Sequence, residues 1–336
     1  MKKVLFLSAF LCCSAPALAD FEDGEIFFEQ KDYSSAFSEF LPLANEGDFR
    51  SQYYVGYLYL NGLGVTQDIR QGVDYLKKSL EQNYDMAQSL MAFLYEEGHV
   101  IPQDKEKALE LYKKAAEQNN ASANLNLGVF YYNGTNVEKN HKIALDYFKK
   151  VPLNEKPVAA RYIGDIYLNN LELRDYASAL NYYKYAASQG DLDSFFALGE
   201  IYRRGMGVPK NVPGAMTYYR YAASKGYAPA QYMLGIIYVN GEGVSRDLAK
   251  GHAWLTLGAE QKFINAEKAL DQLSDMMTMA DFDNARQQLV LIRTNEIDKV
   301  EMPALFVETE NLNIKNQASS VKGKKRRRRG VRSRRN

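Results

Sequence analysis

The residues that could perform acid–base or metal chemistry are few and scattered in this sequence. Its three histidines, His99, His141 and His252, do not combine with cysteines or carboxylates into a cluster that has metal-ligand spacing. No nucleophile elbow is present, and the 25 tyrosines recur at intervals typical of packing positions. We therefore expect a protein without catalytic residues, bound metal, cofactor or small-molecule substrate.

Two glycine pairs could form a loop that cradles a phosphate group. They are Gly205 with Gly207 and Gly241 with Gly243. A phosphate-binding loop follows a strand and ends in Gly-Lys-Ser or Gly-Lys-Thr, and the sequence around these pairs has neither feature. Because glycine adopts backbone angles that other residues avoid, we predict turns that separate one helix from the next.

A recurring stretch of sequence includes these turns and is clearest at residues 230–257. Ala230, Leu234, Gly235 and Tyr238 mark one face of a helix there. The Leu-Gly position, or its equivalent, recurs at Gly56, Ala92, Gly128, Gly164, Gly199 and Gly235. The intervals are 36, 36, 36, 35 and 36 residues, and a constant period of this size is the signature of an α-solenoid.

Helical patterns also flank the repeats at both ends. Residues 21–30 and 33–46 are predicted to form two helices, because their apolar side chains recur at helical spacing. Residues 264–273 and about 280–297 are predicted to form two more. Such capping helices are expected, because an uncapped solenoid exposes the apolar face of its last repeat.

The first 19 residues have the pattern of a secretory signal peptide. Lys2 and Lys3 precede an apolar run from Val4 to Cys13, and Ala17-Leu18-Ala19 forms a small-x-small cleavage site. Both cysteines lie in this run, so the chain released by cleavage near Ala19 would contain no disulfide. We therefore expect a periplasmic or secreted protein.

The net charge of +1 conceals two oppositely charged parts. Of the 42 lysines and arginines, two lie in residues 1–19 and ten in residues 322–336, where no acidic residue occurs. Residues 20–321 therefore carry 30 basic and all 41 acidic residues. We predict a polar linker at residues 300–321 and a disordered basic tail at residues 322–336.

Clustered arginines and lysines favour phosphates and carboxylates, so the tail is a candidate anion-binding segment. Its predicted targets are an anionic polymer, lipid or nucleic acid. The predicted anion-binding residues are Lys324, Lys325, Arg326, Arg327, Arg328, Arg329, Arg332, Arg334 and Arg335.

The repeat resembles the Sel1-like repeat, a relative of the tetratricopeptide repeat. The family pattern is Ala-x-x-x-Leu-Gly-x-x-Tyr-x-x-Gly-x-Gly-Val followed by Asp. Matching residues are Leu198, Gly199, Tyr202, Gly205, Gly207 and Val208, and again Ala230, Leu234, Gly235, Tyr238, Gly241, Gly243, Val244 and Asp247. The resemblance covers roughly residues 21–295. It implies an all-α fold, an α-solenoid of about seven helix-turn-helix Sel1-like repeats with capping helices, which we assign to residues 20–299.

The first helix of each repeat supplies the predicted partner-binding surface, on the concave side of the solenoid. A helical wheel of 100° per residue places Leu-Gly-x-x-Tyr on the packed face. The residue after the glycine and the one two before it then point away. The predicted partner-binding residues are Tyr54, Tyr57, Leu90, Phe93, Asn126, Val129, Tyr162, Asp165, Glu200, Met233 and Ile236. This set is unusually apolar for exposed positions, which is typical of a partner site; the alternative is that several of them pack against neighbouring helices.

Two functional hypotheses follow for this chain. The resemblance implies protein binding, and secreted bacterial members of the family are similar to adaptors, envelope regulators or factors for entry into host cells. The first hypothesis is therefore a non-catalytic adaptor of the bacterial envelope or a secreted adaptor. The alternative is an envelope-anchoring factor whose basic tail binds an anionic polymer, membrane or nucleic acid.

Overall fold

The computed structural model of the chain describes residues 19–294, 301–305, 307 and 312. Within these residues the chain forms 16 α-helices and no β-strand, which confirms the all-α prediction. The helices are α1 Phe21–Glu29, α2 Tyr33–Glu46, α3 Phe49–Asn61, α4 Ile69–Glu81, α5 Asp85–Glu97, α6 Lys105–Glu117, α7 Ala121–Asn133, α8 His141–Lys150, α9 Val158–Asn169, α10 Tyr176–Ser188, α11 Leu192–Arg204, α12 Val212–Ser224, α13 Ala228–Asn240, α14 Leu248–Glu260, α15 Ile264–Ser274 and α16 Met279–Arg293. All but Ala19 of the predicted signal peptide and all of the basic tail lie outside the described residues.

The chain divides into two compact units; the first ends at Ala123 and the second begins at Asn124. In the first unit, consecutive helices from α1 to α6 pack against each other. In the second unit, α8 to α15 pack in the same consecutive way, and α16 packs back onto α14. The odd-numbered helices α3 to α13 are the first helices of the repeats, and the even-numbered helices α4 to α14 are the second helices.

The second helices begin at side chains that cap their N-termini. Asp68, for example, accepts a hydrogen bond from the backbone N–H of Gln71 at 2.9 Å. A side-chain oxygen in this position satisfies a backbone donor that has no partner inside the helix. The same position holds Asp104, Asn140, Asp175, Asn211 and Asp247 in the other repeats. The N-cap predicted at Asp247 is therefore confirmed.

The glycine pairs lie in turns between helices, as predicted, and their two members have different tasks. Gly241 ends α13 with a φ of 67°, the left-handed conformation that glycine adopts without a steric penalty. Gly243 approaches the preceding repeat, because a Cβ there would lie 2.6 Å from the Cβ of Val212 at the start of α12. The second glycine therefore allows close contact between consecutive repeats.

The glycine of each Leu-Gly step lies against a large side chain of the second helix. A Cβ at Gly128 would lie 2.5 Å from the ring of Phe148, so only glycine fits there without a shift of that ring. The equivalent pairs are Gly56 with Leu76, Gly164 with Tyr183, Gly199 with Tyr219 and Gly235 with Leu255. Each of these second-helix side chains is almost completely buried, so the pairs form the centre of each helical hairpin.

The tyrosine of the Leu-Gly-x-x-Tyr pattern packs within its own repeat. In four repeats it stacks on a tyrosine of the second helix, with ring centroids between 5.4 and 6.1 Å apart. The pairs are Tyr59 with Tyr75, Tyr131 with Tyr147, Tyr167 with Tyr182 and Tyr202 with Tyr218. This geometry agrees with the interpretation that the repeated tyrosines are packing residues.

Helices α15 and α16 occupy the two segments predicted as C-terminal caps. The second begins at a capping box between Thr278 and Asp281 and ends at Arg293, short of the predicted boundary near 297. It is held on α14 by an edge-to-face contact between Phe282 and His252 and by an ion pair between Arg293 and Glu260. None of the helices in the described part of the chain is long and apolar enough to span a membrane.

Candidate functional site

The predicted partner-binding residues lie in different environments in the two units. In the first unit, Phe93 is 46% exposed, and Tyr54, Tyr57 and Leu90 are partly exposed. In the second unit, Asp165 and Glu200 belong to networks of hydrogen bonds and ion pairs. The remaining predicted residues of the second unit have uncharged side chains that are partly exposed. They are Asn126, Val129, Tyr162, Met233 and Ile236.

Tyr57 belongs to a contiguous group of aromatic rings that we call the aromatic surface, formed by Phe28, Phe49, Tyr53, Tyr57 and Tyr84. Tyr57 contacts Phe28 and Tyr53, with ring centroids 5.9 and 6.5 Å apart. Tyr53 contacts Tyr84 at 5.7 Å, and Tyr84 contacts Phe49 at 5.0 Å. All five rings are partly exposed, so the group joins α1, α3 and the start of α5 into one surface.

The tyrosines of the aromatic surface offer polar atoms as well as apolar area. Among the described residues, no hydrogen-bond partner is found for the hydroxyl groups of Tyr53, Tyr57 and Tyr84. Burial, assisted by Asp85 and Glu25, raises the pKa of Tyr84 to about 12, so its hydroxyl is neutral at physiological pH. A neutral phenol donates and accepts hydrogen bonds while its ring packs against apolar groups.

Carboxylates lie close to the aromatic surface. The electrostatic neighbours that raise the pKa of Tyr84 are Asp85, Glu25 and Asp48, and the opposing neighbour is Arg50. Arg50 lies over the ring of Phe21, with its guanidinium carbon 3.9 Å from the centroid. The aromatic surface therefore has acidic surroundings, which favour a basic ligand group over an acidic one.

Tyr54 has a different role from Tyr57 although both were predicted as partner-binding residues. Its ring stacks on the fully buried Phe40, with centroids 4.6 Å apart and planes within 9° of parallel. Its hydroxyl donates to Glu25 Oε1 at 3.3 Å. Tyr54 thus connects α3 to the helices before it, which corresponds to the alternative of packing against neighbouring helices.

Glu200 is the centre of a charged network on α11. It accepts a hydrogen bond from Tyr219 Oη at 2.5 Å and two from Arg203, at 3.0 and 3.1 Å. Arg203 also reaches Glu242 of the next turn at 3.1 Å. Burial alone would raise the pKa of Glu200, but the hydrogen bonds from Arg203 and Tyr219 outweigh it and lower the pKa. Glu200 therefore connects its own helix to the second helix and to the following repeat.

Asp165 occupies the equivalent position in the preceding repeat and has weaker partners. Tyr183 Oη donates to its Oδ1 at 2.6 Å, and Arg161 lies 3.6 Å from its other oxygen. Arg161 is shared with Asp191 and Asp193, at 3.4 and 3.8 Å. Burial raises the pKa of Asp165 above its ordinary value, because these partners compensate only part of the lost hydration.

The other positions of the second unit are largely covered by neighbouring side chains. Tyr162 stacks on the buried Phe148, with centroids 5.0 Å apart and planes within 3° of parallel. Val129 and Met233 pack against buried apolar clusters. Ile236 lines a groove of about 450 Å³ between α13, α14 and α15, together with Leu255 and Leu273. These residues contribute to packing between helices.

The histidines lie apart from one another, and no group of metal-ligating side chains occurs in the described part of the chain. His99 is exposed, with Nδ1 3.6 Å from Glu97. His141 stacks on Tyr132, and burial lowers its pKa. The pKa of His252, which contacts Phe282, is lowered for the same reason. Both are packing residues.

Sequence analysis missed four members of the aromatic surface, Phe28, Phe49, Tyr53 and Tyr84. Tyr53 precedes Tyr57 by one helical turn, and this i,i+4 spacing was a signal that their rings would meet. Tyr84 lies just before α5, outside the Leu-Gly-x-x-Tyr pattern of the first helices. Only the packing of α5 against the preceding helices brings its ring to Tyr53.

Consecutive helical hairpins of nearly constant period, joined by glycine turns and packed through contacts between a glycine and a large apolar or aromatic side chain, define an α-solenoid repeat protein. The Sel1 repeat family model matches six stretches of this chain, residues 50–84, 85–120, 121–150, 157–191, 196–227 and 228–263. These stretches cover more than half of the sequence, and the chain belongs to the Sel1 repeat proteins. Proteins of this family generally act as protein–protein interaction scaffolds.

Two solved structures are similar to this chain over most of its length. A protective antigen present in uropathogenic Escherichia coli strains, which displays an SLR fold, is 26% identical, with a TM-score of 0.68 over 82% of this chain. This chain covers 60% of the length of that antigen. A Sel1 repeat protein from Oxalobacter formigenes is also 26% identical, with a TM-score of 0.61; the match covers 72% of this chain and all of that one.

Proposed function

We propose that this chain is a non-catalytic adaptor that binds a protein partner through the aromatic surface of its first unit. The observation that carries the proposal is the contiguity of five partly exposed aromatic rings on α1, α3 and the start of α5. Aromatic residues are enriched at the centres of protein interfaces, and tyrosine is among the residues that most often dominate binding energy.

The surroundings of the aromatic surface point to a partner with basic side chains. A lysine or arginine placed over the face of Tyr57 or Tyr53 would gain a cation–π interaction. Asp85 lies near Tyr53 and Tyr84, and Glu25 and Asp48 lie near Tyr84, so these carboxylates would attract that charge. The three tyrosine hydroxyls would donate to backbone carbonyl groups of the partner.

Comparative capture from envelope and host-cell extracts tests this proposal. Proteins retained by the wild-type chain should be lost by the Tyr53→Ser/Tyr57→Ser variant, because it removes the central rings. The matched control is Tyr75→Ser, which removes a tyrosine from α4 in the same unit and should leave capture unchanged. Equal capture by all three proteins would contradict the assignment of binding to the aromatic surface.

We further propose that the chain acts in the bacterial envelope or outside the cell. The support is the signal-peptide pattern of residues 1–19, with its charged start, apolar run and small-x-small site. Mass spectrometry of the protein from cell fractions tests this proposal. A mature chain that starts at Asp20 in the periplasm or medium is expected, and an intact N-terminus in the cytoplasm would contradict it.

The alternative function, docking of the basic tail on an anionic polymer, membrane or nucleic acid, is supported by the segregation of charge. Ten basic residues are concentrated in residues 322–336, against an excess of acidic residues in 20–321. Full-length chain and a chain ending at residue 321 should be compared for binding to heparin, anionic vesicles and nucleic acid. Binding lost on truncation and weakened by salt would support tail docking. Capture of a protein partner by both chains at high salt would favour the adaptor function.

A further inference from the structure

Part of the segment predicted as a polar linker packs against the repeats of the second unit. Leu305 packs against a cluster that draws its buried residues from α10 to α14, among them Tyr219 and Trp254. Val307 packs against a second cluster, formed by α8, α9, α10 and the α8–α9 loop. Leu312 is a member of this second cluster and is only 8% exposed.

The two clusters share helix α10. Leu305 packs against the α10–α14 cluster, whereas Val307 and Leu312 pack in the α8–α10 cluster. The described residues of the segment therefore lie on neighbouring repeats of the second unit.

The described residues of the segment have the pattern of an extended peptide seated on a surface. Residues 301–305 and 307 are neither helix nor strand. Pro303, Leu305 and Val307 are partly covered, whereas Met302 and Ala304 between them are exposed. Alternation with a period of two is expected when an extended chain contacts a surface along one side.

The contacts that Leu305, Val307 and Leu312 make with the two clusters are apolar. Burial of apolar area is not directional, so a competing chain with apolar side chains at the same spacing could make the same contacts.

We propose that this surface of α8 to α14 binds extended polypeptides that carry apolar side chains at the spacing of Leu305, Val307 and Leu312, and that the chain's own segment fills it in the absence of a partner. The proposed occupant is a peptide rather than a small molecule, because the residues that pack there, Leu305, Val307 and Leu312, belong to a polypeptide segment. This surface is in the second unit, so the inference does not depend on the aromatic surface of the first.

A labelled peptide tests the proposal with the full chain. The probe is a fluorescein-labelled peptide with the sequence of residues 300–316, and the variant is Leu305→Asp/Val307→Asp/Leu312→Asp. The variant releases the competing segment and should bind the probe at least tenfold more tightly than wild type in fluorescence anisotropy. A peptide that carries the same three aspartates is the control and should not bind. Equal affinity of wild type and a folded variant, or equal binding of both peptides, would overturn the proposal.

A second measurement leaves the anchors intact, in case the triple variant does not fold. Cys12→Ser and Cys13→Ser remove the native thiols, and Met302→Cys introduces one at a 51% exposed position for a nitroxide label. Excess unlabelled peptide should displace the segment and increase the mobility of the label, whereas the aspartate peptide should not. A spectrum unchanged by the peptide would overturn the proposal. Tyr53→Ser/Tyr57→Ser should alter neither readout, so failure here is distinguishable from failure of the proposed function.

Discussion

The position after the glycine of the Leu-Gly step has opposite roles in the two units. In the first unit it holds Tyr57 and Phe93, which are partly or largely exposed. In two repeats of the second unit it holds Asp165 and Glu200, which accept hydrogen bonds from Tyr183 and Tyr219 of the second helix. In the other two it holds Val129 and Ile236, which pack against buried apolar side chains. The same point of the repeat thus supplies a surface in one unit and an internal connection in the other.

The side chain opposite the glycine explains this difference. Where the second helix carries Leu76, Phe148 or Leu255, the residue after the glycine of the same repeat is Tyr57, Val129 or Ile236, since leucine and phenylalanine offer no hydrogen-bond donor. Where it carries a tyrosine, as at Tyr183 and Tyr219, a carboxylate accepts the hydroxyl. The third repeat departs from this pairing: Ala92 replaces the glycine, and Tyr112 donates to Glu96 instead, at 2.9 Å. Phe93 is therefore left exposed.

The largest expected effect is the loss of the Glu200 carboxylate. Glu200→Ala leaves Tyr219 without its acceptor and Arg203 with Glu242 alone, in a site where the Glu200 side chain is 12% exposed. Removing one partner of such a network should lower the free energy of unfolding by about 3 kcal/mol. Urea unfolding followed by fluorescence of Trp254, the single tryptophan, measures this effect in the second unit. A loss below about 1 kcal/mol would mean that the network does not stabilise the fold.

The second-largest effect is expected when a single hydrogen bond of that network is removed. Tyr219→Phe keeps the ring in the core and removes only the donor to Glu200, so a loss of about 1.5 kcal/mol is expected in the same unfolding measurement. The control is Tyr182→Phe, since no hydrogen-bond partner of the Tyr182 hydroxyl is found among the described residues. A similar loss of unfolding free energy in both variants would show that the hydrogen bond from Tyr219 to Glu200 does not stabilise the fold.

The two carboxylates should change stability with pH in opposite directions. The pKa of Glu200 is lowered from 4.5, so its contribution is present above that pH and is lost as the pH falls. The pKa of Asp165 is raised from 3.8, so folding favours its protonated form, and its contribution is lost as the pH rises above 3.8. Relative to wild type, Glu200→Gln should make unfolding less sensitive to acid, and Asp165→Asn should make it more sensitive. Urea midpoints between pH 3 and 6 measure both; the same trend in both variants would contradict the assignment.

The smallest effect on stability is expected at the equivalent position of the first unit. Tyr57→Ser removes a partly exposed ring and no recorded hydrogen bond, so the free energy of unfolding should fall by no more than about 1 kcal/mol. Circular dichroism of the helices follows this unfolding, because the first unit has no tryptophan. If Tyr57→Ser destabilises the protein as much as Glu200→Ala, Tyr57 is a packing residue. The proposed difference between the two units would then be wrong.

Much of the fold could be predicted from the sequence, because it is set by short-range patterns. The constant spacing of the Leu-Gly step, the turn glycines and Asp247 are all local signals, and the structure places them as expected. Capping helices were also evident from their apolar spacing. Helix α16 ends earlier than predicted, at Arg293, because no local signal marks its last turn.

The candidate site was less predictable, because it depends on residues far apart in sequence. A helical wheel treats Tyr54 and Tyr57 alike, yet Phe40 of the preceding hairpin covers the first of them. Similarly, the wheel could not show that Glu200 would meet Tyr219, because their contact depends on how two helices pack. The packing of Leu305 and Leu312 was hidden for the same reason: a segment without periodicity gives no signal of what lies beneath it.

The contact made by the second turn glycine has a consequence for how this molecule could have changed in length. Gly243 faces Val212, and Gly207 faces Tyr176, each the first residue of the preceding second helix. Deleting one period, residues 201–236, would bring the Gly243 turn onto Tyr176, a contact that Gly207 already makes. Glycine tolerates contact with either Val212 or Tyr176. Whole repeats can therefore be gained or lost by duplication or deletion without a new contact between repeats.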